Sequence, residues 1–466
     1  MANYDVIIIG AGLSGLAAGI RLAHFDKKVC IVEKHIEVGG LNSFYVRKSR
    51  TFDVGLHAMT NYTPKGVRRS PLGKLLKQLR FRHEDFQLCP QKMSEIRFPE
   101  KSLNFTNDFE FLKQEVAEQF PRQIDGFLKL VQKIESFDEL SLDGDTRTSA
   151  LEVLQSFISD RLLIDMLCCP LMYYGNARER DMDFYQFVIM FKSIFMEGFA
   201  KPLKGMHFLL SLLVDKYKSL GGELRMGAEV ESIDADRGKV RSVTLKGGDC
   251  LQAETVISSM GTVETLRRCQ PAQAMEEAWP VGQLSFMESI FVLDREPREL
   301  EYDKSIVFFN TRSRFEYRVP NQLIDVTSGV LCCPNNFNYP EPLAEGMLRL
   351  TNLASSRLWN EPARREYIQA KKDCRAEALE SLFTFFPDFR DSVVFLDTFT
   401  PKTIQKYTGH LNGAVYGSPR KIKNGTTPVK NLFICGTDQG FLGIVGATLS
   451  GISMANFHVL QRTGES

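Results

Sequence analysis

The sequence has no cysteine framework. Its 466 residues include ten cysteines, none in a Cys-x-x-Cys pair or at zinc-site spacing, and Cys168-Cys169 and Cys332-Cys333 are adjacent pairs that rarely bridge. A reduced, metal-free, cytoplasmic chain is therefore expected. Charge of one sign is also lacking. The net charge is +1, which gives no electrostatic case for nucleic acid. A basic segment ahead of the first apolar run is missing, so no signal peptide is expected. Internal repeats and low-complexity segments are absent. With 43% hydrophobic residues, the chain has enough apolar surface for more than one core, and its length implies two or three domains.

One stretch lacks charge altogether. From Gln439 to Gln461 there is no Asp, Glu, Lys or Arg, a length that suits a bilayer. The same stretch holds Gly440, Gly443, Gly446, Gly451, Ser450, Ser453, Asn456 and His458, and reads as a buried helix.

What is present begins at the N-terminus. Val6-Ile7-Ile8-Ile9 is a continuous apolar run of the kind buried on both faces of a parallel sheet. It leads into Gly10-Ala11-Gly12-Leu13-Ser14-Gly15. Gly10 allows the tight turn, Gly12 lets backbone approach a pyrophosphate, and Gly15 lets the next helix pack close to the strand. That helix, from about Ser14 to Ala23, aims its N–H groups at the phosphates. A second run, Val29-Cys30-Ile31-Val32, ends at Glu33-Lys34, where a carboxylate accepts the hydroxyls of an adenosine ribose. Gly39-Gly40-Leu41-Asn42 follows, a Gly-Gly placement found in flavoproteins. Near the other end, Leu432-Phe433-Ile434-Cys435 runs into Gly436-Thr437-Asp438 and then Gly443-Ile444-Val445-Gly446. Closure on one dinucleotide from both termini is typical of FAD enzymes. No second Gly-x-Gly-x-x-Gly occurs, so a separate NAD(P)H domain is not expected, and electrons must be exchanged with an external donor or acceptor.

Taken with Phe52-Asp53-Val54-Gly55-Leu56-His57, Lys201-Pro202-Leu203-Lys204-Gly205-Met206, Gly221-Gly222-Glu223-Leu224, Val230-Glu231-Ser232-Ile233, Tyr407 and Tyr416-Gly417-Ser418-Pro419, these motifs resemble the phytoene desaturase-like and retinol saturase-like flavoproteins of the amine-oxidase-like superfamily. The resemblance covers nearly the whole chain. It implies a mixed α/β fold. A Rossmann-type FAD domain would be made from residues 1–65, 205–265 and 400–466, with a discontinuous helical substrate domain from 66–204 and 266–399. It implies that Val230 lies beside the adenine, that Gly436 and Asp438 serve the ribityl chain, and that Gly443, Ile444 and Val445 face the flavin C2 carbonyl. The helix that follows would turn its positive end to N1 and C2=O, favouring the reduced ring. The chain departs from the family at Asp26-Lys27-Lys28, where a glycine is common. It departs again at Gly440-Phe441-Leu442-Gly443, where carotenoid desaturases tend to carry proline.

The implied reaction is hydride transfer between flavin N5 and a carbon–carbon bond of an apolar, isoprenoid-like substrate, as desaturase, saturase or isomerase. Amine oxidation is the alternative, and a non-catalytic membrane-docked flavoprotein is a third reading. His57 and Tyr416 are the catalytic candidates. His57 is either a proton relay or a structural histidine. Tyr416 is either a flavin-facing residue or ordinary core. Phe184, Phe187, Phe191 and Phe195 share a helical face, extended by Phe199, which either lines an apolar tunnel with Met190, Met196 and Met206 or forms core. From Lys65 to Arg82 the chain is basic and without acid. Ser70-Pro71 opens a helix there whose Leu72, Leu75, Leu76 and Leu79 share one face, with Lys74, Lys77 and Arg80 off it. It either docks on the anionic inner face of a membrane or covers its own domain.

Overall fold

The computed structural model describes residues 3–55, 57–67, 69–137, 148–271 and 279–461. Leu56, named above, and Arg68 of the basic segment lie outside them. Two large sheets organise the chain. The first places strands in the order Cys269–Gln270, Val230–Asp236, Lys239–Leu245, Cys250–Ser258, Asn3–Ile9, Val29–Val32 and Glu223–Arg225, and Leu432–Ile434 pairs with the end of Cys250–Ser258. The pairs around Asn3–Ile9 are parallel, and the hairpin Val230–Asp236/Lys239–Leu245 is antiparallel.

The continuous apolar run has a simple cause. Val6 and Ile8 face one cluster, with Leu16, Ile20 and Leu449, while Ile7 and Ile9 face another, with Val32, Val240 and Val256. Side chains alternate across the strand, so both sets must be apolar. The first of these clusters is roofed by two helices, Leu13–Ala23 and Gly443–Ala455. They cross in direct contact. A Cβ on Gly451 would stand 1.9 Å from the Ser14 carbonyl oxygen. The uncharged C-terminal stretch is therefore core: Gly443–Leu460 is long and apolar enough to span a membrane, yet it is mostly buried within the protein.

The second sheet runs in the order Val393–Phe399, Leu284–Leu293, Gly346–Ser355, Ser328–Cys332, Ile306–Asn310, Ser94–Arg97 and Ser102–Phe105. It draws strands from both intervening blocks of the chain. The helix Arg364–Leu382 covers one face through Cys374, Ala378, Leu379 and Leu382. The other face meets the helices between residues 109 and 196.

Two sequence expectations had alternatives, and packing decides both. Phe184, Phe187, Phe191, Phe195 and Phe199 are at most 4% exposed and sit in one core cluster with Met190, as successive ring contacts such as Phe191–Phe195 at 5.1 Å show. The stripe is core and not the wall of a tunnel. Met206 is buried in the helix-roofed cluster of the first sheet. The basic segment does form the helix Pro71–Leu79, capped by Ser70, whose hydroxyl accepts the Gly73 N–H at 3.0 Å. Its Leu72, Leu75, Leu76 and Leu79 are buried in that same cluster, and only Lys77 and Arg80 of its charged face are fully exposed. The apolar half of a membrane-docking face is thus taken up by the protein itself.

The helix crossing gives a direct test. Gly451→Ala should force the two helices apart and destabilise the fold by roughly 1–3 kcal/mol, read as a lowered Tm in thermal unfolding. An unchanged Tm would mean that the crossing is looser than 1.9 Å implies.

Candidate functional site

The first cavity is a cleft of about 260 Å³ at the carboxyl ends of the parallel strands. Gly10, Gly12, Leu13 and Ser14 line it from the first turn, Glu33 and Lys34 from the end of the second strand, and Gly39, Gly40, Leu41 and Asn42 from the loop beyond. Of the other expected residues, Val230 and Gly436 line it too, joined by Thr437, whereas Asp438, Gly443, Ile444 and Val445 do not. The glycines divide the work. Gly10 has φ +98°, and a Cβ on it would meet Ser259 Oγ at 2.3 Å. A Cβ on Gly15 would overlap the Gly10 carbonyl oxygen at 1.9 Å, so Gly15 is a packing residue beneath the cleft. Gly12 is different: nothing lies within 4.0 Å of its Cβ position except the Gly39 carbonyl oxygen at that distance, so a side chain there would enter the cleft. Gly12 also caps the helix Leu13–Ala23 without any side-chain hydrogen bond.

Glu33 is held by backbone. Its Oε2 accepts the Ala11 N–H at 2.7 Å and its Oε1 the His35 N–H at 2.9 Å, and each oxygen keeps a further lone pair. The loop at Gly39 is bound to the first turn by its N–H to the Ala11 carbonyl, 2.9 Å. Val230 borders the cleft, and its carbonyl accepts from Arg268 Nε at 3.0 Å. Arg268, Glu264 and the segment Tyr407–His410 also border it, a contribution that sequence reading missed apart from Tyr407. Asp438 is placed differently from the residues around it. It is 2% exposed, and its carboxylate accepts the Thr262 N–H at 2.6 Å and the Ser418 N–H at 2.8 Å, tying two distant loops together. Val445 is fully buried in the core beside it.

A second cavity, of about 150 Å³, adjoins the first. Leu41, Asn42, Thr437 and Ala447 line both. Gly443 and Ile444, at the N-terminus of the helix Gly443–Ala455, line the second, and Leu442 caps that helix without a side-chain hydrogen bond. The first N–H groups of a helix have no intrahelical partner, so this end is a donor site with partial positive charge. Tyr173, Phe286, Phe399, Val415 and Leu442 form apolar wall.

The floor of this cavity is polar. His57, Glu288, Thr351 and the hydroxyl-bearing Tyr174 line it. His57 Nε2 lies 2.9 Å from Thr351 Oγ1 and 3.6 Å from Glu288 Oε2. Glu288 Oε1 in turn accepts from Arg349 Nε at 2.5 Å, and both members of this pair are 3% exposed. Lys201 Nζ donates to the His57 carbonyl at 3.1 Å. Strand alternation gathers these groups. Met287, Phe291, Leu348 and Leu350 point to the Arg364–Leu382 side, so Glu288, Arg349 and Thr351 point to the cavity side. Sequence reading named His57 but missed Glu288, Arg349, Thr351 and Tyr174. A signal was present: Glu288 is the one charge in LSFMESIFVL, and Arg349 the one charge in GMLRLTNLAS.

Tyr416 also lines the cavity, with its ring 6.0 Å from that of Phe286. Its hydroxyl donates to the Tyr173 carbonyl, and burial pushes its pKa well up, so it contributes wall and not a proton. Burial lowers the His57 pKa below the usual imidazole range, with Glu288 opposing and Arg349 and Lys201 adding to the shift, so His57 is neutral at pH 7. Burial acts to raise the Glu288 carboxyl, but the Arg349 charge and the His57 hydrogen bond prevail and hold it at about 2.

Both shifts act in the same direction. The unfolded chain binds protons that the folded site refuses, so stability falls on acidification: from His57 below its ordinary 6.5, and from Glu288 between its ordinary 4.5 and about 2. Glu288→Gln should remove the lower limb, so that the Tm gap between wild type and variant narrows as pH falls from about 5 towards 3. At neutral pH the variant removes the Glu288 charge that Arg349 is hydrogen-bonded to, and a loss of roughly 3–5 kcal/mol is expected. A Tm gap independent of pH would show that Glu288 is not ionised in the folded protein.

Comparison with known proteins accords with this arrangement. The chain is 22% identical to the chloroplastic prolycopene isomerase of Arabidopsis thaliana, over 97% of its own length and 82% of that protein's. It is 23% identical to the all-trans-retinol 13,14-reductase of Danio rerio, over 99% and 86% of the two lengths. Among solved structures, an oxidoreductase from Methanosarcina mazei superposes with a TM-score of 0.67 at 16% identity, covering 96% of this chain and 99% of that one. Residues 13–456 match the model of the flavin containing amine oxidoreductases, and the chain therefore belongs to that family of flavin-dependent oxidoreductases.

Proposed function

We propose that the chain is an FAD-dependent oxidoreductase acting on a carbon–carbon bond of an apolar, isoprenoid-type molecule. One observation carries the reading: the dinucleotide-shaped cleft and the mainly apolar cavity share Leu41, Asn42, Thr437 and Ala447, with an uncapped helix N-terminus at the junction. The residues fit FAD. Gly12 leaves an opening that a single Cβ would fill, two uncapped helix N-termini face the cavities, and Glu33 keeps lone pairs on the cleft. When bound, FAD would supply a hydride acceptor or donor at N5.

The chain's own residues then do four things. The turn Gly10–Gly15 and the helix behind it hold the pyrophosphate, and Glu33 with Lys34 holds the adenosine ribose. Gly443 and Ile444 offer N–H groups where the reduced ring carries its charge, while Asp438 fixes the loops that shape this end. Tyr173, Phe286, Phe399 and Tyr416 exclude water from the apolar part of the substrate. His57, neutral at pH 7, takes a proton at a ring nitrogen when the reaction releases one, with Thr351 and Glu288 fixing its orientation. Prolycopene isomerase and retinol reductase among its relatives support a polyene-type substrate and any of isomerisation, saturation or desaturation. In saturation or desaturation the electrons are exchanged with an external partner, and isomerisation needs none on balance.

Two measurements test this reading. Reconstituted protein should bind FAD, and Gly12→Val should weaken binding by tenfold or more (roughly 1.4 kcal/mol) with an unchanged Tm for the flavin-free chain. Equal FAD affinity in the variant would displace the pyrophosphate from Gly12. Anaerobic exposure to isoprenoid polyenes should bleach the bound flavin, or reoxidise it after chemical reduction. Bleaching by amines alone would favour C–N oxidation, the activity in the family's name. Lipid binding with no flavin response would favour a non-catalytic role.

A further inference from the structure

The cavity on the substrate side is short and does not suit a pure hydrocarbon. Its volume is about 150 Å³, and Gly443 and Ile444, where the flavin ring would sit, line part of it, so the room left for substrate is smaller still. Its inner end is sealed. The Tyr174 ring packs on Phe199 at 5.3 Å and on Phe308 at 5.2 Å, and both belong to the closed aromatic core.

The floor at that sealed end is built for a polar group. The Tyr174 hydroxyl is buried and makes no hydrogen bond among the described residues. An unsatisfied buried hydroxyl is destabilising, so the position is expected to be completed by a ligand. Charge decides which ligand. Glu288 and Arg349 already neutralise one another at hydrogen-bond distance, and the fields of these two groups at Tyr174 oppose each other. His57 is neutral, and Lys201 and Asp53 stand behind the pair as a second cation and anion. An ammonium or carboxylate placed here would find no uncompensated counter-charge and would bear its own desolvation cost. A neutral oxygen would bear none.

We infer that the substrate is a short apolar molecule ending in a neutral oxygen, a hydroxyl or carbonyl, which is hydrogen-bonded to the Tyr174 hydroxyl at the sealed floor of the cavity. This rests on the proposed reading of the cavity as the substrate site and narrows its substrate class. The oxygen end sets the register of the chain, so that a fixed carbon–carbon bond lies at the junction shared with the cleft. Tyr174 is thus a positioning and specificity residue.

The test uses FAD-loaded protein and a matched ten-carbon series: geraniol, geranial, the hydrocarbon 2,6-dimethylocta-2,6-diene and geranylamine, with detergent-solubilised lycopene as the long polyene. Dissociation constants are read from the flavin absorbance change and, independently, from equilibrium dialysis. Geraniol or geranial should bind roughly tenfold more tightly than the hydrocarbon, the worth of one net hydrogen bond, and more tightly than the amine or lycopene. Tyr174→Phe should bring the oxygenated ligands to within about twofold of the hydrocarbon and leave the hydrocarbon's constant unchanged. The Tm of that variant should not fall, because the hydroxyl bonds nothing among the described residues. Equal binding of alcohol and hydrocarbon by the wild type, tightest binding of lycopene, or preference for the amine would each overturn the inference while FAD remains bound. Failure to bind FAD, seen before any ligand is added, would overturn the cofactor reading and this inference with it.

Discussion

The backbone approach that joins the two ends of the chain at the site is that of Gly451 to the Ser14 carbonyl. It lets the N-terminal and C-terminal helices lie in contact across one face of the first sheet. Because the two helices follow parallel strands that both pair with Cys250–Ser258, their N-termini open into adjoining cavities. Any larger side chain at the crossing would widen the gap and separate the donor group of the cleft from that of the second cavity. Asp438 does for the loops what Gly451 does for the helices, joining the Thr262 turn to the Ser418 turn through its two carboxylate oxygens.

The second constraint is electrostatic. Glu288 and Arg349 are 3% exposed, and burying such a pair seldom stabilises a fold relative to apolar residues of the same size. Here the pair orients His57 and sets a floor of nearly zero net charge under an otherwise apolar cavity. The same desolvation that keeps His57 neutral raises the Tyr416 hydroxyl out of reach of proton transfer. One environment therefore assigns the two candidates different roles, imidazole for protons and phenol ring for wall.

Much of the cofactor side was legible in the sequence because its determinants are local. A turn that needs φ +98° at Gly10, a helix opening at Leu13 and an acid at the end of the next strand all lie within one contiguous segment, and the backbone alone dictates their geometry. The basic helix at Pro71–Leu79 was readable for the same reason, down to its Ser70 cap. Its use was not, since four leucines on one helical face pack equally well against lipid or against a neighbouring helix. The Phe184–Phe199 stripe carried the same ambiguity, and only the surrounding rings show it to be core.

The substrate side was legible only in hindsight. Glu288 and Arg349 stood out as single charges in apolar runs, but nothing local pairs a residue near 288 with one near 349 or brings both to His57. The sequence by itself determined the parallel strand, the glycine turn, the acid at Glu33 and the uncharged C-terminal helix, because each follows from backbone geometry and hydrophobic periodicity. Tertiary structure alone decided that Glu288, Arg349, Thr351, Tyr174 and His57 meet at one floor. Strand register and the antiparallel pairing of Leu284–Leu293 with Gly346–Ser355 set those distances, and both are products of long-range packing.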